Sequence, residues 1–162
     1  MIKIKPYKQS PGWCGAACFK MVMDFYGIKK SEKRWAELTP YSKDKKGKIL
    51  ATDDEKFVKQ AKKLGFKGFC KDGSSIAEIR SYIKKGIPVI VNWFSPEECG
   101  HFSVVVGFEK DKIVLADPHF GKIKKWKIEE FEERWFDHVP WPIKSIKDVK
   151  WVRRVCVVYP AS

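Results

Sequence analysis

Residues 9–27, which read QSPGWCGAACFKMVMDFYG, constrain the fold of this chain more than any other stretch. After the turn residues Pro11 and Gly12, apolar side chains recur at helical spacing and also fill much of the opposite side. A helix that is apolar almost all round lies in the interior of a protein. We therefore expect a central buried helix that begins at Cys14 and stops at Gly27, where a glycine allows a left-handed helix end.

The position of Cys14 at the start of this helix has a chemical consequence. Unpaired backbone N–H groups and the positive end of the helix dipole favour a thiolate over a thiol. A thiolate is a nucleophile, but acyl transfer also needs a general base and donors for the oxyanion. Gln9, five residues upstream, can place its side-chain amide beside the Cys14 backbone N–H. The alternative is that Cys14 is only a small buried hydrophobic residue, as free cysteines often are.

Length and composition are those of one folded domain. The chain has 162 residues, of which 44% are hydrophobic, so we expect residues 1–162 to form a single domain with its own core. Helical patterns come first, and β-type runs follow at residues 87–94, 102–109 and 112–116. This order predicts an α+β fold with an N-terminal helical half and a C-terminal half built on an antiparallel β-sheet.

Charge and cysteine content narrow the choice of partners. The net charge of +13 comes mainly from lysines that are spread along the chain among acidic residues. This favours a solvated surface and no specific nucleic acid, because base readout relies more on arginine. No apolar run approaches the roughly 18 residues of a membrane span, and the N-terminus lacks the pattern of a signal peptide. With five cysteines, an odd number, we expect a cytoplasmic protein with reduced thiols and no cofactor.

A histidine and an aspartate stand at the two ends of a predicted β-hairpin. His101 precedes the run at residues 102–109, and Asp117 follows the run at residues 112–116. Because the ends of such a hairpin return side by side, we predict that these two side chains lie within hydrogen-bonding reach. An acid that holds one ring nitrogen while the other faces a thiol is the arrangement of acyl transfer. A lone histidine at a strand start is usually structural, and it is the combination with Cys14 that favours catalysis.

These residues give the chain a resemblance to the papain-like cysteine peptidases that remove double-glycine leaders from bacteriocin precursors. The matching pieces are Gln9, the CGAA segment from Cys14, the FYG segment at 25–27, the HF pair at 101–102 with VVVGFE after it, and the DP pair at 117–118. The resemblance implies that Cys14 is the nucleophile, His101 the general base and acid, and Asp117 the residue that orients it. It also implies that Gln9 lines the oxyanion hole, and that a peptide or protein is hydrolysed through a thioester.

Two features depart from the pattern of that family. Gln9 precedes the cysteine by five residues, where six are expected, and Trp13 stands where an acidic or small polar residue is common. The best-known members are fused to an export transporter, which these 162 residues do not contain. The resemblance therefore implies the reaction more directly than the double-glycine substrate. Trp13, with Trp93 and Phe94 at the end of a predicted strand, are candidates for the substrate cleft.

Other functions fit parts of the same pattern. The fold can serve a non-catalytic peptide-binding module, a transglutaminase-like acyl transferase, or a basic protein that binds nucleic acid or a membrane surface. Cys14, Cys18, Cys99 and His101 are together a conceivable structural zinc site, although a Cys-x3-Cys spacing on a helix is unusual for one. A Cys14–Cys99 disulfide that switches activity off is a further hypothesis. We favour a site without a metal.

Overall fold

The computed structural model of the protein describes residues 1–43, 45–46, 49–51, 53–138 and 145–162. Its order of elements confirms the α+β class, because four of the five helices precede the main run of strands. The helices are α1 (Cys14–Phe25), α2 (Glu32–Leu38), α3 (Glu55–Lys63), α4 (Ile76–Lys84) and α5 (Ile128–Glu133), with a 3-10 turn at Ile146–Asp148. The strands are β1 (Ser42–Lys43), β2 (Ile49–Ala51), β3 (Phe66–Lys71), β4 (Val89–Ser95), β5 (Cys99–Glu109), β6 (Lys112–Asp117), β7 (Lys122–Lys127), β8 (Asp137–His138), β9 (Val149–Lys150) and β10 (Val155–Pro160).

Six strands form one antiparallel sheet in the order β3-β10-β4-β5-β6-β7. Helices α1 and α3 pack on one face of this sheet, and α4 and α5 pack on the other. Side chains of successive residues alternate between the two cores: Ile90 and Val104 belong to the first, Val91 and Val105 to the second. Because both faces are covered, the central strands are apolar along nearly their whole length, and the chain reads there as continuous β-type runs.

Helix α1 is the predicted central helix. Nine of its twelve residues are buried. The ring of Phe19 stacks on Phe57 of α3 at a centroid distance of 5.1 Å and meets the edge of Trp35 of α2 at 4.9 Å. After the last helical turn Gly27 adopts a φ of 86°, and its N–H donates to the Asp24 carbonyl at 3.0 Å. The left-handed stop expected from the sequence is thereby confirmed.

The hairpin of β5 and β6 contains a bulge that sets the position of the site. From the turn, Glu109 pairs with Lys112, and this register would place Asp117 opposite Val104. A shift between Val105 and Gly107 adds one residue to β5, so Ala116 pairs with Val104 instead. In this register Asp117 lies opposite residue 103, on the same side of β5 as His101. The bulge therefore decides that the acid and the histidine share a face.

Within the described residues, none of the helices has both the length and the apolar character that crossing a bilayer requires.

Candidate active site

Cys14 is the first residue of α1 and directly follows the loop that ends at Trp13. The Cys14 side chain is buried, with 9% of the residue exposed. Trp13 occupies the N-cap position but provides no side-chain acceptor for the first N–H groups of the helix. These backbone N–H groups therefore remain available to stabilise a negative charge that forms at Cys14. The sequence prediction of a cysteine at the start of a buried helix is confirmed.

His101 is fully buried and is held at both ring nitrogens. Its Nε2–H donates to Asp117 Oδ1 at 3.0 Å, and its Nδ1–H donates to Glu98 Oε2 at 2.9 Å. The thiol of Cys14 also lies close, because the sulfur, a Glu98 oxygen and a His101 nitrogen are all within 4.8 Å of one another. Since Nε2 is taken by Asp117, Nδ1 is the nitrogen that faces Cys14.

The charge of the His101 ring follows from these neighbours. Burial of the ring opposes its charged form, but hydrogen bonds to Asp117, Cys14 and Glu98 outweigh burial and raise the pKa of His101 well above its usual value. Carboxylates only accept hydrogen bonds when ionised, so a ring placed between two of them carries a proton on each nitrogen. The histidine is therefore an imidazolium at neutral pH, beside the sulfur of Cys14.

Asp117 is the anchor of this side of the site. It is 1% exposed, and its Oδ1 accepts both the His101 Nε2–H and the backbone N–H of His119, the latter at 2.9 Å. The turn after it is fixed by Gly121, whose N–H donates to the Asp117 carbonyl at 2.9 Å. Gly121 has a φ of 64°, and a Cβ there would meet Lys8 at 2.7 Å. The glycine thus allows the turn to pack directly against the N-terminal segment.

The packing of the N-terminal segment against the turn after Asp117 also brings Gln9 to the site. Its backbone N–H donates to the Pro118 carbonyl at 2.9 Å, and its side-chain Nε2 donates to Glu98 Oε1 at 3.0 Å. The next residue, Ser10, donates through N and Oγ to the buried carboxylate of Glu32, at 2.8 and 2.7 Å. The loop before Cys14 is consequently held on both sides. The structure joins Gln9 to the cluster through Glu98.

Glu98 is the site residue that sequence reasoning missed. Its carboxylate accepts from His101 Nδ1, from Gln9 Nε2 and from His119 Nδ1, the last at 2.8 Å. The hydrogen bond from His101 is the largest of the causes that lower the pKa of Glu98 to about 2. The available signal was the Glu-x-x-His spacing before β5, where a tight turn brings residues three apart together. The backbone of that turn is set by Cys99 at a φ of 61°, and Glu98 N–H donates to Ser95 Oγ at 3.0 Å.

The structure corrects one of the three residues predicted for the substrate cleft. Trp93 does not line a cleft: its side chain is fully buried, and its ring packs on Trp126 and Phe131, with centroids 5.2 and 5.6 Å away. Trp93 is the cross-strand partner of His101 between β4 and β5. The other two residues stay predictions: Phe94 is half-buried, with its ring stacked on Phe136, and Trp13 is half-buried at the helix start.

The alternative of a structural zinc site built from Cys14, Cys18, Cys99 and His101 is not assembled in the structure. Among the described residues, the cluster that contains Cys14 and His101 is completed by Glu98, and neither Cys18 nor Cys99 belongs to it. Cys18 is fully buried in the core, one turn further along α1, and burial raises the pKa of its thiol. All five cysteines are free thiols in this structure, so Cys14 and Cys99 are not bonded to each other.

The fold and the site together define a papain-like arrangement, with a cysteine at the start of a buried helix and a histidine and an acid on the facing sheet. The peptidase domain of the bifunctional ABC transporter ComA of Streptococcus, which takes part in quorum sensing, has this fold. It superposes with a TM-score of 0.70 and 22% identity over 98% of this chain and 99% of that domain. A double-glycine-motif protease of a PCAT transporter, solved with its leader peptide, gives a TM-score of 0.69 and 18% identity over 98% and 92%.

Sequence comparison identifies the family. The model of the Peptidase_C39 like family matches residues 1–138. The lactococcin-G-processing and transport ATP-binding protein of Lactococcus lactis subsp. lactis is 32% identical over 132 residues. That match covers 80% of this chain but only 17% of the relative's length. The chain belongs to the Peptidase_C39 like family, and the expected class of cysteine peptidase is confirmed at the level of the family.

The contact between Asp117 and His101 can be tested by replacing Asp117 with asparagine. Asp117→Asn removes a negative charge at 3.0 Å from Nε2, so the imidazolium is destabilised. We expect the pKa of His101 to fall by at least about 1 pH unit, since a close opposite charge changes a pKa by roughly 1 to 3 units. Titration of the ring protons by NMR measures this.

The matched control is Asp111→Asn, an exposed aspartate at the opposite end of the same hairpin. It should leave the titration of His101 unchanged. A pKa of His101 that is the same in Asp117→Asn as in the wild type would contradict the electrostatic role of Asp117.

Proposed function

We propose that this chain is a cysteine peptidase in which Cys14 is the nucleophile, His101 the general acid and base, and Asp117 the residue that orients His101. One observation carries this proposal: the buried His101 ring is bound by Asp117 at Nε2 and faces Cys14 with Nδ1. This is the division of roles in which one nitrogen is fixed and the other transfers the proton.

The proposed reaction follows from these positions. The Cys14 thiolate attacks the carbonyl carbon of a peptide bond, and the carbonyl electrons move to the oxygen. The tetrahedral intermediate collapses to a thioester, the C–N bond breaks, and His101 Nδ1–H gives its proton to the leaving amine. The neutral ring then takes a proton from water, whose oxygen attacks the thioester. The acid product leaves, and the thiolate and imidazolium are restored.

Gln9 and the Cys14 backbone N–H are the proposed donors to the oxyanion. In the arrangement described above, the Gln9 amide donates to Glu98, and the same carboxylate lies 2.9 Å from His101 Nδ1. The substrate carbonyl needs the Gln9 amide as a donor, and the leaving amine needs the proton on His101 Nδ1. Glu98 must therefore move away from the site before a peptide can react.

The substrate class that we propose is a peptide with a double-glycine leader. The Lactococcus lactis relative processes lactococcin G, and the protease of the PCAT transporter is a double-glycine-motif protease with a leader peptide bound. The half-buried Trp13 directly precedes Cys14, and we propose that its side chain contacts residues near the scissile bond. No cofactor takes part in the proposed mechanism.

Peptide cleavage tests this proposal. We expect the reduced protein to cut synthetic leader peptides after Gly-Gly, with the two fragments identified by mass spectrometry. Cys14→Ser should lower the rate more than about a thousandfold, because the reaction then lacks its nucleophile. Cys99→Ser is the matched control, since Cys99 is a partly exposed thiol in the turn before His101, and it should retain cleavage.

Three results would contradict different parts of the proposal. Equal cleavage of peptides in which Ala-Ala replaces Gly-Gly would contradict the proposed leader specificity but leave the peptidase activity in place. Equal cleavage by wild type and Cys14→Ser would contradict the proposed nucleophile. Formation of an amide with an added amine, in preference to hydrolysis, would favour the acyl transferase.

The displacement of Glu98 gives a separate prediction. Glu98→Ala removes the carboxylate that occupies both Gln9 and His101. A hydrogen bond to a charged group contributes about 1.5 to 3 kcal/mol, and 1.4 kcal/mol is a factor of ten, so we expect kcat/KM to rise by about tenfold. Steady-state cleavage of the leader peptide measures this rise. Glu97→Ala, at the exposed neighbouring position, should have no effect, whereas a fall in kcat/KM for Glu98→Ala would mean that Glu98 assists the reaction.

A further inference from the structure

Three side chains with metal-binding atoms converge at the site. The sulfur of Cys14, a ring nitrogen of His101 and a carboxylate oxygen of Glu98 lie within 4.8 Å of one another. His119 stands behind this cluster, with its Nδ1 atom 2.8 Å from Glu98 Oε1. The three clustered residues come from the start of α1, the turn before β5 and the first part of β5, so they approach one point from separate directions.

The donor set selects the metal by its chemistry. One thiolate, one imidazole nitrogen and one carboxylate, with water in the fourth position, suit a borderline-soft ion of tetrahedral preference, which is Zn²⁺, and not Mg²⁺ or Ca²⁺. In a tetrahedral zinc site with bonds of about 2.0 to 2.3 Å, neighbouring ligand atoms stand about 3.5 Å apart. The separation of 2.9 Å between His101 Nδ1 and Glu98 Oε2 is that of a hydrogen bond. An ion that replaces this proton thus moves the two atoms only slightly apart.

The residues around the cluster already orient its ligands. Asp117 Oδ1 accepts the Nε2–H of His101, which leaves Nδ1 directed inward, and it accepts the backbone N–H of His119. The Gln9 amide donates to Glu98 Oε1. A carboxylate behind a histidine ligand and a donor on a carboxylate ligand are the outer contacts that zinc sites use.

Charge and access are also suitable. The thiolate of Cys14 and the carboxylate of Glu98 neutralise a divalent ion when His101 is a neutral ligand. The side chains of Glu98 and His119 are 23% and 35% exposed, which opens the cluster to solvent on one side. Cys14 and His101 lie behind them, at 9% and 0%.

We propose that Cys14, Glu98 and His101 bind one Zn²⁺ ion, with His119 holding the Glu98 carboxylate as an outer contact, and that the bound ion reversibly silences the site. The ion occupies the thiolate and the Nδ1 atom, so metal binding and nucleophilic attack exclude each other. The binding of zinc stands on the cluster alone, and only the silencing rests on the proposed function.

The test is a metal titration of the reduced, metal-free protein. Calorimetry with Zn²⁺ should give one equivalent, and Co²⁺ should give a thiolate-to-cobalt charge-transfer band together with the strong visible bands of a tetrahedral site. The Co²⁺ charge-transfer band should disappear in Cys14→Ser. Glu98→Gln and His119→Gln should each weaken Zn²⁺ binding by at least about tenfold, as the loss of even outer contacts does. The control Glu97→Gln removes an exposed carboxylate one residue away and should bind as the wild type does.

Several outcomes would overturn the proposal. The first is the absence of stoichiometric binding, and the second is a Co²⁺ charge-transfer band that persists in Cys14→Ser, which would assign the metal to another thiol. The third is binding unaltered in Glu98→Gln, which would leave a cysteine–histidine pair without the third ligand. Circular dichroism of each variant verifies that it is folded.

Inhibition of peptide cleavage is measured separately from the binding of Zn²⁺. If Zn²⁺ binds as described and stops leader-peptide cleavage until a chelator is added, both proposals are supported. If it binds but the metal-free protein cleaves no peptide, the proposed function fails and the zinc site stands. If the protein cleaves peptides at the same rate with and without a saturating equivalent of Zn²⁺, the silencing is wrong.

Discussion

A fully buried histidine flanked by acids is the interaction on which the rest of this site depends. An imidazolium ring without exposure to water is stable only when its two N–H groups meet acceptors that carry negative charge. Asp117 meets this requirement at Nε2, and Glu98 together with Cys14 meets it at Nδ1. Each of these neighbours contributes to the raised pKa of His101, whose charge acts on the thiol beside it.

The fold supplies this arrangement through two independent supports. On the sheet side, the bulge in β5 turns Asp117 and His101 to the same face. On the helix side, the loop before Cys14 is fastened by Ser10 to the buried Glu32 and by the Gln9 backbone to Pro118. Helix α1 packs against the same sheet. This packing of helix on sheet brings the Cys14 thiol to the His101 ring. The turn that carries Glu98 is less buried than Cys14 and His101, so Glu98 is the residue that can move when a substrate or a metal binds.

Local patterns were sufficient to predict the buried helix and its glycine stop, and the short hairpin turn was sufficient to predict that His101 and Asp117 lie at the same end of the hairpin. The bulge in β5 that places the two side chains on one face was not predicted. The position of β10 between β3 and β4 was not predictable in that way, because it joins strands that are far apart in the chain. Trp93 illustrates a second limit: a tryptophan at a strand end near a histidine can face a cleft or the core, and only the packing of Trp126 and Phe131 decides for the core. Glu98 was missed because its only signal, the Glu-x-x-His spacing, points to a contact with His101 only if a tight turn forms between the two residues.

The rate of alkylation of Cys14 as a function of pH tests the central claim most directly. Iodoacetamide reacts with the thiolate, and a Cys99→Ser background removes the thiol of the neighbouring turn. The account predicts that Cys14 is alkylated rapidly near pH 6 and that His101→Ala abolishes this reactivity at low pH, because the imidazolium no longer stabilises the thiolate. A wild-type rate that follows an ordinary thiol with a pKa of about 8.5, or a Cys14 that never reacts, would contradict the account.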